Sequence, residues 1–142
     1  MSTISLAQGT TVIEAAFGRA RELQLKPLTI AVLDAGGHIV ALARQDGSSN
    51  LRPGIAIAKA SGALDLGVSS RKIGEMALER PTFVNALSAI ASAGVVPAAG
   101  GVIVAAENGD ILGAIGVTGD LSDNDELCAL AGAQAAGLRA LA

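Results

Sequence analysis

A single histidine, His38, follows the turn sequence Asp34-Ala35-Gly36-Gly37 and is the only imidazole in the chain. Imidazole titrates near neutral pH and ligates metals through either ring nitrogen, so His38 is a candidate metal ligand and a candidate acid or base. Its plainer role is a polar side chain opening an edge strand. A metal on His38 would need further donors from carboxylates, from the one cysteine or from a second subunit. A structural zinc site does not fit that donor count.

Cations form the second group. Lys59 interrupts the apolar stretch Ile55–Leu64, where it either snorkels to solvent or points into a pocket to hold an anion. Arg52 and Arg80 each precede a proline at a helix entry. Rigid backbone there can aim a guanidinium at a carboxylate, for which its planar fork is suited; the alternative is a solvated or locally paired arginine. The third group is acidic: Asp120, Asp123, Asp125 and Glu126. Such a cluster can hold a hard cation or move protons. Equally, acidic residues gather at helix N-termini to cap free N–H groups. Asp123, three residues before Glu126, has the spacing of a capping box, which leaves Asp125 and Glu126 as the candidates for proton transfer. Cys128, in apolar surroundings with no nearby histidine, reads as a buried small side chain.

The elements that must position these groups follow from periodicity. Residues 3–25 repeat apolar positions at helical spacing, and Pro27 marks the end. Residues 28–34 and 38–44 are strand-like and joined by a Gly-containing turn, a first hairpin. From Pro53 to Ser92 the signals are helical in two or three pieces, broken at Gly67, capped at Ser69 or Ser70 and restarted at Pro81. Val95-Val96-Pro97 reads as a short further strand. A second hairpin turns at Asn108-Gly109, a pair suited to a tight primed turn. Glycines at Gly113, Gly116 and Gly119 point to a bulge or to the close approach of a backbone or ligand. A final helix starts at Ser122 or Asp123. The order α-β-β-α-α-β-β-α indicates an α+β domain on a mainly antiparallel sheet.

Composition narrows the function. The chain has 142 residues, a length suited to one domain with its own core. Hydrophobic residues make up 51% and aromatics 1%, so the core must be aliphatic. Mean hydropathy is +0.52, high enough to suggest apolar surface buried against other subunits. No run approaches the roughly 20 apolar residues of a spanning helix. A net charge of −3 and the lack of Trp and Tyr argue against a nucleic-acid binder. No phosphate-binding glycine fingerprint is present. The N-terminal residues read as a helix start without the basic segment of a signal peptide, and the lone cysteine fits a reducing compartment, so the cytoplasm is the expected location.

Taken in order, VLDAGGHIVALARQDG, AIAKASGAL, VVPAAGGVIVAAENGDILGAIGVTG and DNDELCALAG closely resemble the GlcG/HbpS family of small haem-binding domains. Similar domains end PduO-type corrinoid proteins. The resemblance spans nearly the whole chain. It implies a profilin- or roadblock-like antiparallel sheet of about five strands flanked by helices, assembled as a homo-oligomer (dimer, tetramer or octamer). It also implies haem or a related tetrapyrrole as ligand, with His38 as the iron contact. Lys59, Gly100-Gly101 and Asp125-Glu126 would line the family's cleft. The chain departs from the family pattern in ARQDGSSNLRPG, which introduces Arg52, and in Arg80-Pro81. These arginines support a second expectation: a small cofactor-independent hydratase, isomerase or lyase. In it Arg52, Arg80 and Lys59 anchor a carboxylate metabolite while Asp125, Glu126 or His38 moves protons.

Overall fold

The structure is a computed structural model describing residues 2–142. Its first helix, α1 (Leu6–Leu23), begins at a complete capping box: the Gln8 N–H donates to the Ser5 hydroxyl and the Ser5 N–H to the Gln8 side chain. It ends sooner than Pro27 suggests, because Gln24 adopts a left-handed conformation (φ 55°) and closes the last turn on the Ala20 and Arg21 carbonyls. Strands β1 (Thr29–Asp34) and β2 (Ile39–Arg44) form the first hairpin. Three helices follow, α2 (Arg52–Leu66), α3 (Ser70–Glu79) and α4 (Pro81–Leu87). Pro53 sits in the first turn of α2, and Ser69 caps α3 by accepting the Lys72 N–H. Strands β3 (Gly101–Ala105) and β4 (Ile111–Thr118) form the second hairpin, before α5 (Ser122–Ala135) and β5 (Arg139–Leu141). The result is an α+β fold whose five antiparallel strands run β2-β1-β4-β3-β5 between helical layers.

Three local expectations need correction. The extra strand is β5, which pairs with β3, whereas Val95 buries itself against Ile73 and Val84 with no strand partner. Helix α4 stops at Leu87 and the chain continues in turns to Ser92 and beyond. The Asn-Gly turn is not a primed one: Asn108 keeps a negative φ and only Gly109 (φ 93°) is left-handed. The loop closes with the Gly109 N–H on the Ala106 carbonyl and the Ala106 N–H on the Asp110 carbonyl. That is a three-residue hairpin loop ending in a left-handed glycine.

The first hairpin repeats the arrangement. Gly37 (φ 84°) donates to the Asp34 carbonyl, and the Asp34 N–H to the His38 carbonyl. Each hairpin also carries a bulge at the same place: Val40 is skipped between β1 and β2, and Leu112 between β3 and β4. Both loops therefore lie at one end of the sheet, and Thr29, Thr118 and Gly101 at the other.

Strand alternation divides the core. Ile30, Val32, Val102, Val104, Ile115 and Val117 pack under α1 and α5, forming the larger cluster. Leu33 and Ala114 face α2 at Ala60. Both central strands are buried on both faces, so alternation in their hydropathy is weak. Helix α2 lies unusually close to the sheet. A Cβ on Gly101 would collide with the Lys59 carbonyl, and one on the paired Gly116 with the Ala56 carbonyl. Gly101 and Gly116 thus admit a helix backbone, whose contact residues at Gly116 are the small Ala56 and Ala60.

Candidate functional site

The singled-out residues divide between the two ends of the sheet. At the end away from the hairpin loops, Lys59 reaches from α2 past the sheet toward α5. Its ammonium donates to the Val117 carbonyl (3.0 Å) and to Asp125 Oδ2 (3.3 Å), and the two side chains are 3% and 1% exposed. Burial pulls the Lys59 ammonium down from its usual range, an effect opposed by Asp125. Burial likewise pushes the Asp125 carboxyl up, opposed by the Asp120 N–H and by Lys59. The other oxygen of Asp125 accepts the Asp120 N–H at 2.9 Å. The pair therefore bridges the helical layers on opposite faces of the sheet.

Around this bridge, Arg52 Nη1 donates to Thr118 Oγ1 (2.7 Å), and Thr29 shares a buried hydrogen bond of 2.8 Å with Ser48. Gly100 (φ 127°) accepts the Val117 N–H, and the Gly101 N–H donates to Ser70 Oγ at 2.7 Å. Both glycines are buried beneath α2. Glu126 accepts Arg71 Nε through both oxygens (3.0 and 3.1 Å), and Arg71 Nη2 donates to Asp123 at 2.6 Å. Asp123 consequently caps nothing. Leu121 holds the N-cap position without a side-chain bond, and the Asp125 carboxylate takes up the Asp120 N–H instead.

Arg71 escaped the sequence reading, although a signal exists. An arginine followed by a lysine in the first turn of α3 opposes the helix dipole, so such a residue must be engaged elsewhere. Arg80 joins neither group: its guanidinium stacks 3.9 Å from the Phe83 ring centroid at the α3–α4 junction. Sequence reasoning also missed a groove of about 290 Å3 between the end of α2 and the turn after α4.

His38 stands at the opposite end. Its side chain is 82% exposed and its Nδ1 lies 3.3 Å from Asp34 Oδ1. The same oxygen accepts the backbone N–H groups of Gly36 (3.0 Å) and His38 (2.9 Å). These bonds, the His38 N–H first, hold the Asp34 carboxyl below the usual carboxylate range. Thr29 and Asp34 are five strand positions apart, about 17 Å. Within one chain, His38 is therefore remote from Lys59, Arg52 and Asp125. No group of three or more His, Cys, Asp or Glu suited to a metal occurs among the described residues. Cys128 is buried, and burial pushes its thiol up to about 11.

Solved structures with the same arrangement place this fold in a recognised class. The chain is similar to a PduOC:heme complex (21% identity, 96% of this chain and 97% of that chain, TM-score 0.84). It is similar to HbpS (27%, 94% and 90%, TM-score 0.81) and to Klebsiella pneumoniae protein ORFY (24%, 96% and 92%, TM-score 0.86). A search of curated protein sequences finds no significant match. The model of the family described as haem degrading protein HbpS-like matches residues 4–134, and the chain belongs to that family.

Proposed function

We propose that this chain is a haem-binding HbpS-like module that works as a homo-oligomer in the cytoplasm. The observation carrying this reading is the family match over residues 4–134, and the haem complex of the similar PduOC fold agrees with it. His38 is the residue that would hold the haem iron. Asp34 engages its Nδ1, the arrangement that orients ligating histidines, and leaves Nε2 facing outward. Ile39 and Ile111, each exposed on the strand beside its hairpin loop at this end of the sheet, are apolar side chains available to a flat ligand. Bound haem supplies an iron centre that can change oxidation state. Arg52 lies at the far end and approaches a ligand on His38 only across copies, while Lys59 is sealed against Asp125. The cytoplasmic reading rests on the lone, buried Cys128.

No observation favours the small-carboxylate enzyme. Lys59 and Asp125 neutralise each other out of reach of solvent, Glu126 is held by Arg71, and Arg80 stacks on Phe83.

A haemin titration followed by Soret absorbance tests the reading. The native chain should give a saturable shift that His38→Ala weakens or removes, with far-UV circular dichroism unchanged. Absence of any shift would end the haem reading. A shift indifferent to His38→Ala would end the role of His38 alone.

A further inference from the structure

From Pro81 to Ala106 the chain contains no charged residue. Its end is buried, in residues 99–105 leading into and through β3, but most of residues 81–93 lie on the surface. Among the helices and strands α4 packs on α3 alone, its one buried residue is Val84, and Phe83 is left 42% exposed. Ile90 in the following turn is 83% exposed, and Leu78 at the end of α3 is 86% exposed. An uncharged apolar surface of this kind marks an interaction site more often than a solvated face.

The patch combines a projection with a recess. Phe83 and Leu87 are four residues apart on α4 and share one face. Phe83 projects, whereas Leu87 lines the groove together with Leu66, Ile90 and Ala91. Each feature carries a charge of opposite sign at its margin. Arg80 stacks on Phe83, and Asp65 stands on the groove wall, where one oxygen accepts the Ser92 N–H at 3.2 Å. Both are exposed, and neither has an ion-pair partner among the described residues. A surface bearing a knob with a cation beside a hole with an anion is complementary to itself. Two-fold symmetry uses such a surface twice.

We propose that this face is an isologous interface with a second copy of this chain, in which each Phe83 enters the other copy's groove and each Arg80 meets the other copy's Asp65. The proposal rests on the homo-oligomer reading above and assigns the residues that build the contact. Aromatic and arginine anchors seated in a pocket are the groups that dominate such interfaces.

Light scattering and sedimentation velocity on the full chain test it with Phe83→Asp, Arg80→Asp and Asp65→Arg. The native chain should run at a multiple of its 14.0 kDa mass. Each variant should halve the mass or weaken self-association at least about tenfold, with helix content retained. Mixing Arg80→Asp with Asp65→Arg should restore assembly, because in the mixed dimer both contacts pair opposite charges. A native chain that runs as a monomer overturns both the oligomer reading and this interface. A native oligomer indifferent to all three variants overturns the interface alone. Variants that dissociate but do not reassociate when mixed overturn the Arg80–Asp65 pairing and the two-fold arrangement built on it.

Discussion

Lys59 and Asp125 are each almost sealed from solvent, and each compensates the other for that burial. Breaking a buried pair leaves one charge unmatched, which costs about 3–5 kcal/mol, whereas replacing both partners by apolar groups is often close to neutral. Lys59→Met and Asp125→Leu should therefore each lower stability by about that amount in urea denaturation. The double variant should be more stable than either single one. It should still fall short of the native chain by about 1 kcal/mol, because Asp125 also satisfies the Asp120 N–H. Losses that simply add would show that the pair has no mutual role. Lys59 stands out in the sequence as a cation in an apolar helix. Its partner does not: Asp125 is 66 residues away among four acidic residues, and spacing alone does not separate the one that folds inward from those that face Arg71 or solvent.

At the scale of elements, α2 lies close to the sheet through glycines. Overpacking a well-filled contact costs about 1–3 kcal/mol or more. Gly116→Ala and Gly101→Ala place a methyl group against the Ala56 or Lys59 carbonyl, so both should destabilise the fold by at least that much. Gly54→Ala, on the same helix, meets only Leu51 at 4.0 Å and should instead stabilise by about 0.4–1 kcal/mol. Thermal melts of the three variants decide the matter, and equal shifts would rule out close approach as the cause. The hairpins were legible because glycine-rich turns between β-branched runs have few other solutions. Strand β5 was not. Its three residues end an alanine-rich tail and become a strand only by pairing with β3, an interaction that local propensity does not encode. Val95-Val96 has the better strand composition but finds its partners in Ile73 and Val84.

Across the whole molecule, stability is unevenly distributed. Strands β1, β3 and β4 are buried under both helical layers, while α4 and the turns after it rest on the small cluster of Ile73, Val84 and Val95. Amide hydrogen exchange should accordingly be slowest in β1, β3 and β4, and fastest from Pro81 to Gly94. Raising protein concentration should slow only the second region as copies associate. Uniform slowing, or none, would contradict the proposed contact. The sequence signalled this property only as a mean hydropathy too high for the aromatic-poor core to absorb. Which surface carries the excess depends on how α4 is left out of the layers.

The twin hairpin loops give the molecule an internal control. Position for position, Asp34-Ala35-Gly36-Gly37-His38 corresponds to Ala106-Glu107-Asn108-Gly109-Asp110, with the same two backbone closures and the same bulge beyond. One loop thus ends in an imidazole and its twin in a carboxylate, on the same two backbone closures and the same left-handed glycine. The two closures therefore do not require an imidazole at that position, and what His38 adds to its loop is the contact with Asp34, for which the twin has only Ala106.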